Sequence, residues 1–294
     1  MGREGTPPPP SLPRRRFGNH IRDARHAANL KQPDVAKAMR WSVPTQSRIE
    51  RGYLGTLNDR DVRDLCTVLG IEDEDEVAAL IGMLEEATAQ PKKWWQQQYG
   101  EVMQERFDVY VGLEYEARAV DIYRSELVPG LFQTADYARA LNHLFFPHES
   151  EEQQARRIEL KLKRQASLTR KTKPLAATMV MDEAILRRVV GNERTMGAQM
   201  QHLADMSTRD NIDIRILPFT AGYPVGTATG AFSILTFEAD PPVVYVESFT
   251  SNMYLEEETE VATYRTASTI IRRSALDATA SRNLLRQMMK EFAR

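Results

Sequence analysis

The sequence predicts a mainly α-helical chain: an all-α N-terminal domain followed by a larger α+β domain with a small sheet. Three observations lead there. The 294 residues exceed the usual span of one domain. The first ninety residues carry short apolar repeats at helical spacing, separated by loops of a few residues. Period-two alternation of apolar residues becomes frequent only in the second half, where it is interleaved with further helical stretches.

Residues 1–16 hold Pro7 to Pro10 and Pro13 without apolar periodicity and read as an extended basic arm. The all-α domain then spans 17–90. Ile21, Ala24 and Ala28 recur three to four apart, with Arg22, Arg25 and His26 turned outward, and Asn29 ends this helix. A second helix over 32–39 has Pro33 in its first turn and Val35, Ala36 and Met39 on one face. Ser42 is the expected N-cap of a third helix over 43–50, with Pro44 in its first turn and Gly52 as its stop. Helices over 58–69 and 74–89 complete the five.

Residues 91–107 read as a linker or hinge. Its Trp94 and Trp95 have the faces to stack bases, but adjacent tryptophans before a globular segment more simply bury an interdomain contact. In the α+β domain, 108–294, residues 108–113 and 119–123 have a strand or short-helix character that the pattern does not separate. Helices are expected over 134–144 with Thr134 as cap, and over 151–168, 182–189 and 192–207. Strands are expected over 176–181, 212–217, 231–237 and 243–246, before two closing helices over 256–273 and 279–292.

The formal net charge of −2 hides an asymmetry. Residues 1–56 contain eleven Lys and Arg against four Asp and Glu, whereas 71–90 contain seven acidic residues and no basic one. A basic head on a near-neutral chain suits a nucleic-acid-binding module attached to something else. No run of eighteen apolar residues predicts a membrane span, and the N-terminus lacks the apolar core of a secretory signal. The single cysteine, Cys66, sits in an apolar run and reads as a small buried hydrophobe. A soluble cytoplasmic protein is the expectation.

The stretch from Leu30 to Gly52 reads helix, tight turn, helix, with Ala36 where the two helices approach and Ile49 returning to the core. Those are the mechanics of a helix-turn-helix, in which the first helix crosses the DNA backbone and the second enters the major groove. Gln32 suits a phosphate clamp; Arg40 and Arg51 flank the recognition helix and suit the backbone. Arg48 can pair bidentately with guanine, Thr45 and Ser47 can bond phosphate or a base edge, and Val43 can touch a thymine methyl. The candidate DNA-binding set is Gln32, Arg40, Ser42, Val43, Thr45, Gln46, Ser47, Arg48 and Arg51.

This stretch resembles the lambda-repressor-like, Xre-type helix-turn-helix regulators. Gln32, Val35-Ala36, Ser42 and the run from Ser47 to Gly52 fall at that family's positions without a gap. Gln46 departs from it by replacing a small apolar residue on the inner side of the recognition helix. Pro44 departs by occupying a usual base-reading position without a hydrogen bond to offer. The segments 110–117, 127–141, 214–222 and 243–248 are similar to a C-terminal domain found in actinobacterial antitoxin-like regulators. That resemblance implies transcriptional control, and a small acidic partner protein encoded nearby.

No catalytic site is expected in the second domain. Asp182 and Glu183 follow a predicted strand and are more simply read as a helix cap than as an acid–base pair. The five histidines include no metal-binding spacing, so neither metal nor cofactor is expected. The segment 220–230 lacks the lysine of a phosphate-binding loop and reads as a loop between strands. Phe219 just before it and Tyr223 within it, with Val128 and Phe132 on an expected surface turn around Pro129-Gly130, are candidates for contact with a ligand or partner. A homodimer on a palindromic double-stranded DNA operator is expected, because one short recognition helix reads few base pairs.

Overall fold

A computed structural model describes residues 10–89, 94–103, 107–247 and 252–293. Among them the chain forms thirteen α-helices and one six-stranded sheet, in two compact units that divide between residues 93 and 94. No helix among the described residues is long and apolar enough to cross a membrane.

The first unit comprises α1 (Leu12–Ala27), α2 (Gln32–Ala38), α3 (Val43–Glu50), α4 (Asp59–Leu69) and α5 (Glu74–Thr88). Helix α1 begins inside the segment expected to be an arm. Pro13 occupies its first turn, where a missing N–H costs nothing, and Leu12 is buried. Phe17 and Ile21 of α1, Val35 of α2, Ile49 of α3, Val62 and Leu65 of α4, and Leu80 and Leu84 of α5 close a single apolar core. Cys66 lies in that core, and burial pushes its thiol pKa up. Ser42 caps α3 as expected, its Oγ accepting from the Thr45 N–H, and Asn58 caps α4, accepting from the N–H groups of Arg60 and Asp61.

Helices α1 and α3 meet at Gly18. A Cβ there would stand 2.6 Å from the Glu50 carbonyl oxygen and 2.7 Å from the Gly52 nitrogen, so only glycine allows the approach. Asn29 ends α1 as expected, with φ +54°. In the α2–α3 turn it is Arg40 that takes the left-handed conformation, at φ +58°, a strained position for a residue with a Cβ.

The second unit opens with α6 (Trp94–Tyr99), α7 (Phe107–Glu116), β1 (Ala119–Arg124), α8 (Ala135–Phe145) and α9 (Glu151–Thr169). It continues with β2 (Ala176–Asp182), α10 (Ala184–Arg187), α11 (Glu193–Met206), β3 (Ile212–Leu217), β4 (Phe232–Thr236) and β5 (Val243–Glu247), and ends with β6 (Asn252–Leu255), α12 (Glu258–Ser274) and α13 (Ala278–Glu291). The expected hinge is therefore largely structured. Trp95 is buried with Tyr99, Val102, Val111 and Leu160, all within this unit. Residues 91–93 and 104–106 of that segment lie outside the described residues.

The undecided 108–113 stretch is helical and 119–123 is a strand. Tyr110, Leu113 and Glu114 are buried at helical spacing, whereas β1 pairs on both sides. Strand order is β3-β2-β1-β4-β5-β6, with β1, β2 and β3 parallel and the remaining pairs antiparallel. One face carries Tyr123, Val180, Leu217, Phe232 and Val246 against Val261 and Ile271 of α12. The opposite face carries Ile122, Met179, Ile214 and Ile216, all buried. Strand β6 goes beyond the expected set. Its four residues are too short for an alternation signal, and only pairing with β5 makes them a strand.

Candidate nucleic-acid interface

Helix α3 has eight residues, about 12 Å of helix, enough to present one face to a groove. Which face it presents is set from inside. Glu50, at its last turn, is buried and takes two hydrogen bonds from Arg25 of α1, Nε to Oε1 at 2.7 Å and Nη2 to Oε2 at 2.9 Å. Gln32 of α2 donates from Nε2 to Oε2 at 2.8 Å, and Gln46 of α3 donates from Nε2 to Oε1 at 2.8 Å. Arg25 also donates from Nη1 to the Leu30 carbonyl at the end of the α1–α2 connection. Burial pushes the Glu50 carboxyl pKa up, but the hydrogen bonds from Arg25, Gln46 and Gln32 and the Arg25 charge outweigh it and hold it below the ordinary value. One carboxylate thus ties three helices together.

Several expectations change here. Arg25, read as outward, is buried because Glu50 lies opposite it across the α1–α3 contact. Gln46 has no exposed surface, so it is withdrawn from the DNA-contact set and becomes part of the clamp on Glu50. Gln32 is half-buried, and the amide nitrogen a phosphate clamp would use is already bonded to Glu50. No local sequence pattern pairs Arg25 with Glu50. The single signal is Gln46, a polar residue on the inner side of a helix, which requires a buried partner.

The other members of the set lie outside. Val43 is 42% exposed, and Thr45, Arg48 and Arg51 are exposed with it. Ser42 and Thr45 share a hydroxyl–hydroxyl hydrogen bond of 2.8 Å at the head of the helix. The Arg48 guanidinium lies 5.9 Å from the Tyr53 ring centre, and Arg51 Nε donates back to the Ser47 carbonyl at 3.2 Å. Ser47 is partly exposed, and Arg40 is exposed in the turn that precedes α3.

In the second unit Phe219 is 57% and Tyr223 75% exposed, and Tyr223 lines a recess of about 250 Å³ with Tyr123, Asp182 and Leu217. Val128 and Phe132, expected at a surface turn, are 1% and 0% exposed: the turn packs its apolar side chains inward, so neither is available to a partner. Asp182 Oδ1 accepts from the Ala184 N–H, as a cap does. Glu183 accepts from the Phe219 N–H and from Arg187. Among the described residues no group of three His, Cys, Asp or Glu side chains stands close enough to hold a metal ion.

A family model described as a domain of unknown function, DUF5753, matches residues 107–287, more than half of the chain. The chain belongs to the DUF5753 family. A second model, described as a helix-turn-helix domain, matches residues 16–80 and covers most of α1, all of α2 to α4 and the start of α5. No curated protein matches the sequence. No solved structure matches it either. In this DUF5753 protein the family domain takes in the whole sheet, and the helix-turn-helix match falls within the first unit.

Proposed function

We propose that this protein is a sequence-specific, dimeric DNA-binding transcriptional regulator of the Xre-type kind, acting in the cytoplasm, whose DUF5753 domain senses a ligand. The observation that carries the reading is the two-sidedness of α3. Gln46, Ile49 and Glu50 are locked inside while Val43, Thr45 and Arg48 are exposed, with Arg40 and Arg51 flanking them. That arrangement supplies base-edge donors and backbone cations on one face. Two copies about 34–36 Å apart would read a palindrome on one side of the duplex.

The test is fluorescence anisotropy with the DNA upstream of the protein's own gene against a scrambled duplex at about 150 mM salt, where a specificity of roughly 10³-fold or more is expected. Arg48→Ala is expected to cost about 1–3 kcal/mol on the specific site and much less on random DNA. Equal, steeply salt-dependent binding to both duplexes would reduce the reading to charge alone.

A second reading, in which the DUF5753 domain neutralises a protein partner in the manner of an antitoxin, is favoured by Phe219, Tyr223 and Val225, three exposed apolar residues on one loop. Co-purification with the small acidic product of a neighbouring gene, lost on Phe219→Ser/Tyr223→Ser, is its expected outcome.

A further inference from the structure

The polar end of the α12-covered sheet face is built differently from the rest of the core. The parallel register places Asp121 of β1 beside Thr178 of β2, and Thr178 beside Asp213 of β3, so three polar side chains cross the sheet in one row. Above this row the α12 core contacts give way to an open cleft of about 570 Å³, within the size range of small-molecule sites. Asp121, Arg215, Arg265, Ser268, Arg272 and Arg273 line it. The four α12 residues fall within less than half a turn of arc, since positions 265, 268, 272 and 273 differ by helical spacings.

The charges of this cleft do not cancel. Arg215 donates from Nε to both oxygens of Asp213 at 3.1 and 3.0 Å, and Arg272 donates from Nη2 to the same carboxylate at 2.8 Å. Two guanidiniums therefore share one carboxylate. Among the described residues the Arg265 and Arg273 guanidiniums form no ion pair, and neither does the Asp121 carboxylate. Four cations face two carboxylates in a concave site, a local excess of two in a protein whose net charge is −2.

We propose that this cleft binds a small phosphate ester, its phosphate held by the arginines and its hydroxyl-bearing body by Asp121 and Ser268. Planar guanidiniums reaching in from the sheet and from the helix suit a tetrahedral dianion, which accepts several charge-assisted hydrogen bonds at once. Asp121, half-buried at the floor, accepts from ligand hydroxyls, and Ser268 completes that polar wall. The same carboxylates oppose a nucleic-acid backbone, whose successive phosphates would be driven against Asp121 and Asp213. The inference deepens the sensing role proposed for the DUF5753 domain and rests on it only for its consequence, not for binding.

The experiment is NMR titration of the full chain, followed at the resonances of β1, β3 and α12, with ribose 5-phosphate, inorganic phosphate and ribose. Ribose 5-phosphate is expected to shift all three elements, inorganic phosphate to shift the arginine wall more weakly, and ribose to leave them unmoved. Arg265→Gln/Arg273→Gln leaves the Asp213 network intact and is expected to weaken phosphate-ester binding by about tenfold or more. Asp121→Asn is expected to weaken ribose 5-phosphate binding more than inorganic phosphate binding. Absence of any response to both phosphates at millimolar concentration overturns the proposal. So does binding that is indifferent to the double variant, or displacement of the phosphate ester by a non-operator duplex. Binding that leaves operator affinity unchanged supports the site and overturns the sensing role alone.

Discussion

In the helix-turn-helix domain Glu50 accepts two hydrogen bonds from Arg25 and one each from the amides of Gln32 and Gln46. In the DUF5753 domain Glu114 accepts two from Arg164, both at 2.8 Å, and the Arg164 guanidinium lies 4.9 and 5.5 Å from the ring centres of Phe107 and Tyr110. The two pairs are equally buried, with side chains at 8% and 2% exposure in each. Their surroundings differ. Amides complete the first, and its bonds reach across α1, α2 and α3. Aromatic faces enclose the second, which joins only α7 to α9. A buried pair lined by polar donors cannot be exchanged for hydrocarbon without stranding them, whereas one lined by rings can. The first arrangement therefore specifies a relative placement of helices, and that placement decides which residues of α3 face out.

The largest effects should come from removing one partner. Glu50→Ala and Glu114→Ala are each expected to cost about 3–5 kcal/mol, because each leaves a buried guanidinium uncompensated. Hydrogen exchange on the full chain should locate the loss within the mutated unit. A loss for Glu50→Ala no greater than that of an ordinary surface change would break the comparison.

Replacing both partners should then separate the two sites. Arg164→Met/Glu114→Leu is expected to be neutral or stabilising among its aromatic neighbours. Arg25→Met/Glu50→Leu strands the Gln32 and Gln46 amides and is expected to destabilise by about 1–3 kcal/mol. Equal outcomes in urea unfolding would show that the amides contribute nothing particular.

Acid sharpens the contrast more gently. The folded-state pKa of Glu50 is depressed, so its contribution is complete above the ordinary glutamate value of about 4.3 and is lost as pH falls through the folded value. Acid unfolding of the first unit should therefore be shallower in Glu50→Gln than in the parent over that range.

The smallest effect lies in the turn that leads into α3. Arg40→Gly relieves a left-handed residue and is expected to raise stability by about 1 kcal/mol while weakening DNA binding through the lost cation. A rise in stability with unchanged DNA affinity would remove Arg40 from the interface.

Much of this protein is legible in local chemistry along the chain. Ser42, Asn58 and Thr134 cap helices, and capping depends on a hydroxyl or amide within three residues of the N–H it serves. Alternation in β3 and helical spacing in α8 and α9 likewise reflect burial of one face of one element. The outward residues of α3 follow from the same periodicity. Arg25 is different, because its partner stands 25 residues away and on another helix. Val128 and Phe132 sit in a turn that reads as surface until the fold is closed over them. The three arginines of α12 look like an ordinary solvated face until Asp121 and Arg215 are brought beneath them by the sheet register. By itself the sequence determined most elements, several caps and the helix-turn-helix, because those depend on neighbours along the chain. Only tertiary structure decided the Glu50 clamp, the edge strand β6 and the cationic cleft, because each is an encounter between side chains or backbones that spacing along the chain does not encode.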